Sequence, residues 1–272
     1  RCVMRDVRPA AVAGMFYPGG AAELAASVRE CLAGTVAPVA PAASPKALIV
    51  PHAGYVYSGP IAAGAYARLA SVRSTIRRVV ILGPTHRVAV RGLALPSARA
   101  FATPLGDVEV DREAVAALAG LRQVVVSDSA HALEHSLEVQ LPFLQSVLDD
   151  FRIVPLAVGD AAPAEVAEVL DRLWGGPETL VVVSSDLSHF HGYAQARRID
   201  RASAGRILAL DGPLDHEEAC GATPINGLLL CARRRGLEPE LIDLRNSGDT
   251  AGDRSRVVGY ASFVFAGERA HG

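Results

Sequence analysis

Three histidines sit in the same local setting. Ala47-Leu48-Ile49-Val50 runs into Pro51-His52-Ala53-Gly54. Arg78-Val79-Val80-Ile81-Leu82 runs into Gly83-Pro84-Thr85-His86. Leu180-Val181-Val182-Val183 runs into Ser184-Ser185-Asp186-Leu187-Ser188-His189. Short apolar runs bounded by Gly, Pro or Ser are the pattern of strands buried on both faces. Strands of that kind deliver side chains to the carboxyl edge of an α/β sheet, where open folds of this type hold their ligands. Two imidazoles from neighbouring strand ends make half of a transition-metal site.

A third donor is needed, and Asp186, His189, Glu134, His135 and Cys220 are the candidates. Cys220 stands at the turn Cys220-Gly221-Ala222-Thr223-Pro224, just before an apolar helical run. A helix N-terminus there would lower the thiol pKa and suit it as ligand or nucleophile. Asp186 lies three residues before His189, the arrangement of a general base with its orienting partner. Tyr55 and Tyr57 follow His52 and either line the same cleft or pack into the core. Glu134 and Glu138 share a segment with Leu137, Leu141, Leu144 and Leu148 at helical spacing. They read most simply as a solvated first helical turn, with His135 beside them. His131, His191 and His216 carry no such pattern. Cys31 and Cys231 fall on apolar helical segments and are expected to be ordinary buried thiols.

The elements that must position these residues alternate. Helices are expected over 21–32, 60–70 with Pro60 in its first turn, 112–119 with Asp111 as N-cap, 164–173, 193–210 and 225–232. A further helix is expected around 137–148. Besides the three histidine-bearing strands, strands are expected at 92–95, 108–110, 123–126, 152–157, 238–244 and 257–265. The segment from Arg8 to Gly20 reads as an irregular flap. The sum is an α/β fold, a mainly parallel central sheet flanked by helices on both faces, in one domain over residues 1–272.

Composition excludes several classes. Half of the 272 residues are hydrophobic, ample for a buried core. The net charge is −2 and no basic run interrupts the chain, which argues against nucleic acid. Gly, Pro or charge breaks every apolar run before the length of a membrane span. Arg1–Asp6 has no apolar signal core, and the four cysteines form no CxxC pair, so a cytoplasmic protein with free thiols is expected. The dinucleotide and phosphate-loop glycine patterns are absent. Ser184-Ser185-Asp186 lacks the glycine-flanked elbow of a serine hydrolase.

An ordered series of segments resembles the Memo family, known in bacteria as AmmeMemoRadiSam system protein B. The series comprises Val7–Ala10 with Gly14–Pro18, Pro51–Gly59, Leu82–His86, Thr103–Gly106, Glu134–Pro142, Ser184–His189, Cys220-Gly221 with Pro224-Ile225, Asn246–Asp249 and Val257–Ala261. The resemblance implies a fold similar to class III extradiol dioxygenases, which bind Fe(II) through two histidines and a glutamate. By resemblance His52 and His86 match the histidine ligands, and Cys220 matches the place of the glutamate. His189 matches an acid/base histidine, with Asp186 beside it. Glu134 and His135 match a segment near the site but outside the ligand set. A thiolate in place of the carboxylate softens the site toward copper, zinc or redox-altered iron. The resemblance therefore implies a metal-binding protein with a redox role, holding iron or copper, with zinc a further choice. A dioxygenase acting on a small aromatic diol and a non-enzymatic cleft for a peptide or partner protein are the alternatives. The resemblance also implies association with a radical-SAM protein and an AMMECR-type protein.

Overall fold

The structure is a computed structural model and describes residues 6–37 and 43–267. Its strands are β1 (Val7–Arg8), β2 (Pro45–Val50), β3 (Arg78–Pro84), β4 (Leu93–Leu95), β5 (Ala100–Thr103), β6 (Gly106–Glu109), β7 (Val124–Val126), β8 (Arg152–Val158), β9 (Thr179–Ser184), β10 (His189–His191), β11 (Glu238–Asn246) and β12 (Val257–Ala266). The main sheet runs β12-β2-β9-β3-β8-β4-β7, with β10 and β11 both paired to β12. A small separate sheet joins β1, β5 and β6.

The main sheet is mixed, which corrects the expectation of a mainly parallel one. β2, β9, β3 and β8 are mutually parallel. β12 is antiparallel to β2, β11 and β10, and β4 is antiparallel to β8. The cause is the length of the connections. Parallel neighbours need a crossover of a dozen or more residues. The β11–β12 link and the short β3–β4 link hold no crossover helix, so both chains turn back.

Helices do cover both faces. Alternation along the central strands divides the core in two. Ala47, Ile49, Val80, Leu82, Val181 and Val183 face helices Pro163–Leu173 and Ala222–Arg235. Leu48, Val50, Val79, Ile81, Leu180 and Val182 face helices Ala21–Ala33, Tyr55–Tyr66 and Leu141–Val147. Both sets are apolar because the strands are buried on both sides.

Local differences from the sequence reading bear on the site. The helix after His52 begins at Tyr55, so Pro60 lies inside it rather than in its first turn. The expected helix around 137–148 is a 3₁₀ turn, Glu138–Gln140, followed by the helix Leu141–Val147. His189 sits on a short strand and not in a loop. Asp111 caps its helix by accepting from the Ala114 N–H, as expected. Cys231 is buried, but Cys31 is only half-buried. Cys2 and His271 lie outside the described residues. No helix among the described residues is long and apolar enough to cross a membrane.

Candidate metal centre

β2, β9 and β3 are adjacent and parallel, so their carboxyl ends meet at one sheet edge. His52, Ser184–Asp186 and His86 emerge there together. A ring nitrogen of His52, a ring nitrogen of His86 and the Cys220 sulfur lie within 4.8 Å of one another.

His52 is buried, 2% exposed. Its Nδ1 lies 2.9 Å from Ser184 Oγ and its Nε2 lies 3.3 Å from Cys220 Sγ. Its backbone N–H donates to Asp186 Oδ1 at 2.8 Å. Burial, reinforced by the nearby His86, pulls its pKa down to about 3, so the ring is neutral at physiological pH.

His86 is held differently. Its side chain is 32% exposed, and Nδ1 meets Glu134 Oε1 at 2.8 Å while its backbone N–H donates to Oε2 at 2.6 Å. The Ser136 N–H donates to Oε1 as well. Burial alone would raise the Glu134 carboxyl. The His86 hydrogen bond and charge, with the N–H groups of His86 and Ser136, overcome burial and hold it at about 2. An ionised carboxylate accepts, so His86 Nδ1 donates to it, and Nε2 is the ring nitrogen that Glu134 does not engage. Glu134 is thus no solvated turn residue. Gly83 makes this contact possible, because a Cβ there would lie 2.7 Å from Ser136 Oγ.

Cys220 arrives on the turn before helix Ala222–Arg235. Its N–H donates to the Asp186 carbonyl, and the Gly221 N–H donates to Ser185 Oγ. A Cβ at Gly221 would lie 2.6 Å from Ser185 Cβ, so only glycine lets this turn close on β9. The thiol pKa is not lowered, contrary to expectation from the helix N-terminus. Burial, with the Asp186 charge, pushes it up to about 12. A metal bound here would replace the thiol proton.

Asp186 does not orient His189. Its Oδ1 takes the His52 N–H, its Oδ2 lies 3.8 Å from His52 Nε2, and no hydrogen bond joins it to His189 among the described residues. Burial raises its pKa. His189 is half-buried on β10, close enough that its charge acts on both His52 and Asp186. His135 stacks between Phe16, at 4.4 Å, and His86, at 4.5 Å. It forms a second candidate ligand group with His86 and Glu134. The hydrogen bonds already made by Glu134 count against that group.

Tyr55 and Tyr57 separate. Tyr55 is buried against Tyr17 and Phe143 and donates to the Val139 carbonyl at 2.6 Å, a packing role. Tyr57 is 40% exposed. Glu138 belongs to the architecture. It accepts from Arg8, from the N–H groups of Ala11 and Val12 and from Tyr17, and so fastens the amino-terminal segment over the site. A cavity of about 1120 Å³ lies elsewhere, between helices 21–33 and 55–66 and β11, and contains none of the histidines. Sequence reasoning missed Ser184 and Gln140 as supports of His52. The available signal was a polar residue at the end of a fully apolar strand.

The family model for Memo-like proteins matches residues 8–264. The chain belongs to the Memo-like family. Curated relatives include a MEMO1 family protein of Methanopyrus kandleri, 40% identical over 95% of this chain and 98% of its own length. Another, from Ignicoccus hospitalis, is 38% identical over the same shares. Among solved structures, the uncharacterized protein JW3007 of Escherichia coli K12 is similar with a TM-score of 0.50 and 14% identity, over 80% of this chain and 98% of that one. That likeness concerns the fold alone. In this Memo-like chain the family match spans every residue of the candidate centre.

Proposed function

We propose that this Memo-like protein binds one transition-metal ion through His52, His86 and Cys220 and uses it in redox chemistry. The observation that carries the proposal is the convergence of two ring nitrogens and one sulfur within 4.8 Å, with Glu134 engaging only Nδ1 of His86. Two imidazoles and a thiolate suit iron, copper or zinc. When bound, such an ion would supply Lewis acidity and, for iron or copper, one-electron exchange. The protein's own part is to hold the two rings, exclude water from the His52 side and leave the His86 side open. In the same proposal His189 exchanges protons with a ligand held at the centre.

The dioxygenase alternative would want a carboxylate ligand beside the two histidines. Glu134 is a poor candidate, since its two oxygens already accept three hydrogen bonds. By resemblance the proposal extends to partners of the radical-SAM and AMMECR types, which co-purification from the native host would test. The central test is metal content of His52→Ala, His86→Ala and His216→Ala. The first two lose bound metal and the third, an exposed histidine outside the ligand group, keeps it. Equal metal in all three contradicts the proposal.

A further inference from the structure

A chain of buried hydrogen bonds leads from Tyr66, inside one of the two core clusters, to His52. Tyr66 hydroxyl lies 2.6 Å from Gln140 Oε1. Gln140 Nε2 lies 2.9 Å from the Pro51 carbonyl and 2.9 Å from Ser184 Oγ. Ser184 Oγ lies 2.6 Å from the Ser136 carbonyl and 2.9 Å from His52 Nδ1. Tyr66, Gln140, Ser184 and Ser136 are all buried, and none is a member of the proposed ligand set.

Counting protons leaves one arrangement. The Pro51 and Ser136 carbonyls can only accept. Gln140 must therefore turn its NH₂ toward Pro51 and its oxygen toward Tyr66. A flipped amide would set two oxygens against each other at Pro51. The two amide hydrogens then go to Pro51 and to Ser184. Ser184 has one hydrogen, and it goes to the Ser136 carbonyl. Toward Gln140 and toward His52 the hydroxyl can only accept. His52 Nδ1 must be the donor.

We infer that Ser184 and Gln140, the latter anchored by Tyr66, are positioning residues that lock His52 as its Nδ1–H tautomer. The lock directs a bare Nε2 lone pair toward Cys220. Two main-chain carbonyls set its polarity, so the arrangement is complete before any ligand arrives. Glu134 engages His86 Nδ1 with a charge, whereas the groups that hold His52 Nδ1 are all neutral. The tautomer assignment stands on hydrogen bonding alone. Only its consequence for metal affinity rests on the proposed function.

The experiment is long-range ¹H–¹⁵N NMR of the metal-free full chain at pH 7, followed by Co(II) titration of the same samples. Wild type shows His52 with a protonated Nδ1 and an unprotonated Nε2. Ser184→Ala gives a mixed or Nε2–H population and binds Co(II) about 10–100-fold more weakly, the usual cost of losing a group that orients a metal ligand. Tyr66→Phe deletes one hydroxyl, is the milder variant should Ser184→Ala fail to fold, and shifts the same populations less far. A wild-type Nε2–H tautomer overturns the inference. So does an unchanged tautomer in the folded variants. Wild type that shows the Nδ1–H form but takes up no Co(II) sinks the metal proposal and leaves the tautomer lock standing.

Discussion

Glu134 and Glu138 are four residues apart, both buried, and put to different uses. Glu134 reaches the loop after β3 and grips an exposed histidine at the sheet edge. Glu138 reaches β1 and neutralises Arg8 inside the protein. One carboxylate fixes a ring of the candidate centre and the other fastens a segment of chain. Burial of a charge is common to both and so says nothing about function. The partner decides. Arginine is permanently charged and completes the pair, whereas histidine has a second nitrogen left to offer.

The comparison predicts a division of effects. Glu138→Ala strands a buried guanidinium and two backbone N–H groups. It should cost about 3–5 kcal/mol, read in thermal denaturation as a Tm lower by about 10 °C. The variant should still bind metal below its Tm. Glu134→Gln is the converse. It should weaken metal binding by about 10–100-fold in a calorimetric titration, with a smaller loss of Tm. If both substitutions damage stability and metal binding alike, the division is wrong.

Acid sharpens the same contrast. The folded pKa of Glu134, about 2, lies below its ordinary value, so its contribution to stability is full above about pH 4.5 and is lost only as pH falls through 2. Burial depresses His52 to about 3 and His131 and His135 to about 4. The unfolded chain takes up those protons from about pH 6.5 downward while the fold refuses them, so stability falls as pH drops from 6.5 toward 4. Metal-free protein should therefore lose at least about 5 °C of Tm between pH 7.5 and pH 5. A flat profile over that range would contradict the burial of these rings. The smallest effects concern the tyrosines. Tyr55→Phe should cost about 1 kcal/mol through the lost bond to Val139. Tyr57→Phe, at an exposed ring, should change stability by less than about 0.5 kcal/mol.

Much of this was legible in the chain itself. Alternating strands and helices announced an α/β fold, and three apolar runs ending in polar loops announced the shared edge. The antiparallel members were not legible, because β4 and β12 carry the same apolar pattern as parallel strands and differ only in what connects them. Glu134 and Glu138 mislead for a related reason. Helical spacing of Leu137, Leu141 and Leu144 suggested a continuous helix with a wet first turn. The chain instead makes a turn at Ser136 and a 3₁₀ segment that swings both glutamates inward, toward partners 48 and 130 residues away. Cys220 reads as a candidate from the sequence, but the helix N-terminus alone misstates its pKa. Burial and the Asp186 charge outweigh that dipole, and neither is visible without the fold.

The most direct measurement is metal content by mass spectrometry on wild type and Cys220→Ala, purified without oxygen and without a metal-affinity step. One equivalent of iron, copper or zinc in wild type, lost in the variant, is the predicted result. No metal in either protein, and no uptake on adding Fe(II), Cu(I) or Zn(II), would contradict the metal centre and leave a polar cleft in its place.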